Sequence, residues 1–189
     1  MPWPTGFTDL IGCRYPLQQA AMGGAPQADL AVAVAAAGGL GMLSGTIGEA
    51  ALEAQLSVVP DGAAVGVNFL VPFIDPAAVE LAAARSRYVE FFWAAPSVDL
   101  VRRGQAGGAR VGWQTGSLQE ARTAADAGCD LIVVQGLEAG GHVRGTVALL
   151  PLLEEVRGVV NVPVVAAGGI GSGRTMAAAL LAGADGVRV

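Results

Sequence analysis

The run Leu131-Ile-Val-Val134, followed directly by Gln135-Gly-Leu-Glu-Ala-Gly-Gly-His142, sets the architecture of this chain. Four consecutive apolar residues read as a strand buried on both faces. The polar and glycine positions after them cannot continue it, so the strand ends at Val134 and opens into a loop where backbone NH groups can approach a ligand. On α/β folds, functional residues sit at such strand ends. His142 is the single histidine, so chemistry that needs a base near neutral pH has one imidazole to use.

Working outward, seven further runs have the same character: Pro16–Ala20, Leu40–Leu43, Ala64–Leu70, Tyr88–Trp93, Arg110–Trp113, Pro163–Ala167 and Gly186–Val189. Most are short, continuously apolar and flanked by glycine, as parallel strands covered on both faces should be. Segments of helical length separate them: Pro26–Ala37, Glu49–Val58, Pro76–Ala84, Ser97–Gly104, Ser117–Ala127, Leu149–Val156 and Ser172–Ala182. Pro26 and Pro76 suit a first helical turn, and Ser117 with Glu120 forms a capping box. At Gly38, Gly128 and Gly183 a helix reaches a residue suited to a left-handed cap, and an apolar run starts soon after.

Strand and helix therefore alternate in units of roughly two dozen residues, which predicts an α/β fold of the (β/α)8 TIM-barrel type, with a doubly wound open sheet as competitor. Residues 1–189 are read as a single barrel domain, truncated at the start of strand eight and C-terminally incomplete. Such a chain is expected to leave strand edges open and apolar surface exposed on the first and seventh of these helices.

Composition narrows the partners. With 53% hydrophobic and 14% charged residues, the chain can bury a substantial core and is not a disordered segment. The net charge of -5, with no Lys and 11 scattered Arg, argues against nucleic acid. Cys13 and Cys129 match neither a metal-ligand spacing nor a disulfide framework, which suggests a reducing, cytoplasmic setting. Met1-Pro-Trp-Pro-Thr-Gly6 lacks a basic signal-like start. The longest apolar stretch, Leu30–Leu43, is broken by glycines and shorter than the ~20 residues a bilayer needs, so no membrane partner is expected.

A second glycine cluster, Ala166-Ala-Gly-Gly-Ile-Gly-Ser172, ends the seventh run and opens the last helix. In barrels this is where backbone NH groups and a helix N-terminus meet a phosphate. Met22-Gly-Gly24 after the first run lets main chain pass close to a flat ring. Asn68, inside the apolar third run, must find hydrogen-bond partners, as must Gln135; an isoalloxazine edge would serve both, and neighbouring backbone is the alternative. Glu138 reads as a loop-fixing or solvated carboxylate, Trp93 and Trp113 as pocket wall or packing, and Cys129 as a packing residue.

Met22-Gly-Gly24, Gly66-Val-Asn68, Gln135-Gly-Leu-Glu-Ala-Gly-Gly-His142 and Ala166-Ala-Gly-Gly-Ile170, in this order, resemble the nitronate monooxygenase family, formerly the 2-nitropropane dioxygenases. The resemblance runs from about Tyr15 to the last residue. It implies an FMN-containing barrel, a flavoprotein oxidoreductase that oxidises alkyl nitronates or nitroalkanes with O2 to a carbonyl compound and nitrite. By position, Met22 and Gly23 would line the flavin, Asn68 and Gln135 would bond it, and Gly140 and Gly141 would pass beside it. Gly168 and Gly169 would hold the phosphate, with Arg188 as a last contact there. His142 would be the catalytic base. Ala21 stands where a proline commonly precedes the methionine, Val143-Arg144 lengthens the loop after the histidine, and the segment that completes the family's phosphate site would follow Val189. Related flavin barrels, enoyl-acyl-carrier-protein reductases or NAD(P)H:quinone reductases, share parts of the pattern and form the rival reading. A non-catalytic phosphate-ligand-binding barrel fragment is the alternative of another class. Whether copies assemble as a homo-oligomer is open.

Overall fold

A computed structural model describes residues 3–23 and 27–189 of the chain. All eight apolar runs become parallel strands: β1 (Leu17–Gln18), β2 (Gly41–Ser44), β3 (Val65–Leu70), β4 (Tyr88–Phe92), β5 (Arg110–Thr115), β6 (Leu131–Gln135), β7 (Val164–Ala167) and β8 (Gly186–Arg188). They lie in the order β1-β8-β7-β6-β5-β4-β3-β2, and a parallel bridge from Gln18 to Leu40 ties β1 to the residue before β2. The sheet thus curls into a (β/α)8 barrel, and the open-sheet competitor falls away. In β6 the period of two is plain: Leu131 and Val133 pack inside the barrel, while Ile132 and Val134 pack outward under the helices.

The helices are α1 (Gly6–Ile11), α2 (Ala28–Ala37), α3 (Glu49–Leu56), α4 (Pro76–Arg85), α5 (Val98–Ala106), α6 (Leu118–Asp126), α7 (Leu149–Arg157) and α8 (Gly173–Leu181). Local chemistry starts several of them: Asp75 accepts the Ala77 NH, Ser97 the Leu100 NH and Ser117 the Glu120 NH. The Glu120 carboxylate takes the Gly116 NH at 2.9 Å, one residue before its capping-box position. Gly38, Gly128 and Gly183 all adopt positive φ, as the cap reading requires. The proposed helix start at Pro26, and Gly24 of the first glycine cluster, lie outside the described residues.

Two expectations need correction. The first is the open barrel edge. Short as it is, β8 pairs with β7 through Gly186, Val187 and Arg188 and with β1 through Val187 and Arg188, so three residues suffice for both ladders. Apolar exposure does occur on the flanking helices: Leu181 of α8 is 90% exposed and Leu30 of α2 is 43% exposed. The second is the end of β6. Gln135 belongs to the strand, paired with Ala167, because its buried carboxamide is satisfied by the loop that follows.

Helix α1 had no counterpart in the sequence pattern, being too short to show a helical period. Thr5 and Thr8 cap it reciprocally, and its Phe7 and Ile11 plug the N-terminal end of the barrel against Leu40, Met42, Leu131 and Val165. Any ligand must therefore enter from the other end. No helix among the described residues is long and apolar enough to cross a membrane.

The half-buried Cys13, the buried Cys129 and Tyr88 make stability sensitive to alkali. Burial pushes Cys13 up to about 11 and Cys129 to about 12, and holds the Tyr88 phenol well above its ordinary value. Above pH 9 the unfolded chain gives up protons that the native chain keeps, so stability must fall as pH rises. For Cys129 the loss runs between pH 9.0 and about 12, with a limiting slope of about 1.4 kcal/mol per pH unit. Urea melts from pH 8 to pH 11 should show a falling midpoint, and a flat profile would contradict it.

Candidate functional site

The open end of the barrel holds a cavity of about 480 Å³. Every site residue named from the sequence lies on its wall: Met22 and Gly23 after β1, Asn68 of β3, Gln135 of β6, Gly140, Gly141 and His142 of the next loop, Gly168 and Gly169 after β7, and Arg188 of β8. Ser44 at the end of β2, Thr46 after it and Gln114 of β5 also line it, and sequence reasoning missed them. Gln114 carried the same signal as Asn68, an amide in an apolar strand, one position beyond the predicted end of that strand.

A buried polar network forms the floor. Glu90 of β4 is fully buried; its Oε1 accepts from Asn68 Nδ2 at 2.8 Å, and its Oε2 from Tyr88 OH at 3.0 Å and Gln18 Nε2 at 3.2 Å. Arg188 donates to the same carboxylate and, through its other terminal nitrogen, to Gln114 Oε1. A buried ion pair holds only when its remaining donors and lone pairs are satisfied, and here three neutral donors share the carboxylate. Two atoms of this network lack a partner among the described residues: Arg188 Nε and Gln18 Oε1. Arg188 therefore faces the cavity from the floor, tied to Glu90 and Gln114. Burial, then the charge of Glu90, keeps the Tyr88 phenol protonated.

The loop after β6 is built on Gln135. Its Nε2 donates to the His142 carbonyl at 2.8 Å and its Oε1 accepts the Arg144 NH at 3.3 Å, so both ends of the carboxamide are spent on folding this segment. Arg144 also pairs with Glu120. The Glu138 carboxylate accepts the Leu149 NH at 3.0 and 3.2 Å, capping α7, which agrees with its loop-fixing reading.

The twin-glycine turn packs against this loop. Gly168 and Gly169 have φ of 120° and 66°, and a Cβ on Gly168 would stand 3.1 Å from the Ala139 nitrogen. Glycine is needed there both for conformation and for closeness. By contrast, a Cβ on Gly23, Gly140, Gly141 or Gly171 would meet none of the described residues within 4 Å, so these stretches of main chain face open space among them. Beyond the turn, Ser172 and Thr175 cap α8 reciprocally, and its N-terminus presents partial positive charge.

His142 sits exposed at the rim with its ring edge-on to Trp93, centroids 5.0 Å apart at 79°. Trp93 has a φ of 70°, the one positive value outside glycine among the described residues. For a bulky side chain this costs about 1–3 kcal/mol. Trp113 is elsewhere: fully buried, packed on Phe91 beneath the helices, with its Nε1 donating to the Ala94 carbonyl.

The chain is similar to known proteins in sequence and in fold. The chain is similar to a (3aS,4S,5R,7aS)-5-hydroxy-7a-methyl-1-oxo-octahydro-1H-indene-4-carboxyl-CoA dehydrogenase of Rhodococcus jostii, 38% identical over 187 residues, covering 97% of this chain and 53% of the relative. It is also similar to the nitronate monooxygenase npaC of Metarhizium robertsii, 38% identical, covering 84% of this chain and 52% of the relative. The chain thus spans about half the length of these curated relatives. Among solved structures, FabK from Thermotoga maritima superposes with a TM-score of 0.89 at 33% identity, over 98% of this chain and 61% of that one. The family model described as nitronate monooxygenase matches residues 5–79 and 61–189, spanning the barrel and every glycine turn around the cavity, and the chain belongs to that family.

Proposed function

We propose that this chain is the FMN-binding barrel of an oxidoreductase that acts on alkyl nitronates and their parent nitroalkanes, with His142 as the base. One observation carries the reading: the sole imidazole and the twin-glycine turn that leads into α8 open onto a single cavity at the unplugged end of the barrel. Its volume of about 480 Å³ falls within the range of about 300–1,000 Å³ usual for cofactor-sized ligands.

The residues present fit FMN. Gly168, Gly169 and the start of α8 suit a phosphate, the bare main chain at Gly23, Gly140 and Gly141 suits a flat ring, and the unpartnered Arg188 Nε marks a polar contact left open. When bound, FMN supplies the electron transfer. Asn68 keeps its carbonyl oxygen for a ligand while its amide holds Glu90. Gln135 acts through the loop it folds. His142 takes the α-proton of a neutral nitroalkane, and the Gln135 contact to its carbonyl sets where the imidazole starts from.

A second reading, a flavin dehydrogenase or reductase of thioester substrates, is favoured by the name of the Rhodococcus jostii relative. The chain, purified and denatured, should release FMN. Under anaerobic conditions propane-2-nitronate should bleach the bound flavin, and NAD(P)H should not. Rapid bleaching by NAD(P)H would favour the reductase reading, and a colourless protein would leave a non-catalytic phosphate-binding barrel.

A further inference from the structure

We propose that Trp93 is the positioning residue of His142, a role that rests on the proposed use of His142 as base. Strand alternation sets the problem. In β4, Glu90 and Phe92 point into the barrel and Phe91 packs outward on Trp113, so the next side chain belongs on the outer face. The left-handed backbone at Trp93 breaks that alternation. It turns the indole back to the rim, where it meets Phe92 edge-on at 5.3 Å and His142 edge-on at 5.0 Å.

The strain is placed where it serves that contact. A glycine would take this φ without cost, yet the chain carries its bulkiest side chain there. Trp93 does not line the cavity, whereas Phe92 and His142 do. The indole therefore backs the imidazole, while substrate would meet the imidazole itself. Gln135 fixes the backbone of His142, and without Trp93 its exposed ring would be free to sample every rotamer.

The test uses the fact that the chain has one histidine, so the imidazole Cε1–H correlation is a single assignable NMR signal. In the intact chain it should be displaced from its random-coil position by the indole ring current, with slow ring motion. Trp93→Gly, which suits the local φ, should return the signal to the random-coil position and mobilise the ring, and Trp93→Phe should keep a large part of the displacement. In turnover, Trp93→Gly should lower kcat/KM for neutral nitroalkanes about tenfold, leave KM for preformed nitronate unchanged, and be rescued by Trp93→Phe. An imidazole signal at its random-coil position in the intact chain, or one unmoved by either substitution, overturns the proposal whatever the substrate proves to be. Failure of nitroalkanes to turn over in the intact chain would count against the functional reading and leave the NMR arm to decide this one.

Discussion

Replacing His142 with Asn is expected to slow consumption of neutral nitroalkanes by about 10²–10⁴-fold, the usual contribution of a positioned general base. Flavin content should not change, because the tie between Gln135 and this position runs through the backbone carbonyl, which Asn retains. Asn can donate and accept hydrogen bonds, but it cannot take up a proton near neutral pH. A preformed nitronate has already lost that proton, so its turnover should fall far less. Oxygen uptake measured with each form side by side separates the two. Equal losses would recast His142 as a binding residue, and unaltered activity would remove it from the chemistry.

Removing the carboxylate beneath the cavity should cost more stability than any other single change at the site. Glu90→Ala leaves the Arg188 side chain, only 9% exposed, without its counter-ion and strips the acceptor from Asn68, Tyr88 and Gln18. Breaking a buried pair from one side costs about 3–5 kcal/mol, read as a shift of the urea midpoint. Replacing both partners with apolar residues of similar volume should restore most of the loss, since a packed apolar pair is close to neutral against a buried ion pair. A loss below about 1 kcal/mol for Glu90→Ala would mean that Arg188 relaxes into the cavity and finds water there.

Much of this was legible in the chain itself. Eight apolar runs with glycine punctuation gave the strand count and the parallel order, because strands covered on both faces need no polar alternation. The glycine motifs led to one rim because strand ends are the only places where such turns can face a ligand. Contacts across the barrel were not legible. Nothing local in Tyr88-Val-Glu-Phe-Phe92 tells that Glu90 points inward to meet Arg188, ninety-eight positions away. Helix α1 escaped because six residues carry too little periodicity. The bonds from Gln135 to His142 and Arg144 were not legible either, because these loop partners are fixed only once the loop has folded. The edge of the barrel was misjudged for a simpler reason: ladder pairing counts hydrogen bonds, and a strand as short as β8 supplies enough for both neighbours.

That seam between β1 and β8 has a kinetic consequence. Leu17 finds its partner, Val187, near the opposite end of the chain, so the contact closes a loop containing nearly every other element. Closing so long a loop is entropically slow, and pairing of this kind must wait for the intervening units to collapse. During synthesis, β1 to β7 can assemble in succession as they emerge from the ribosome, β1 already bonded to Leu40, while the seam between β1 and β8 waits until β8 arrives. The final sealing step should therefore set the refolding rate, and it leaves the half-built sheet exposed to wrong partners for longest.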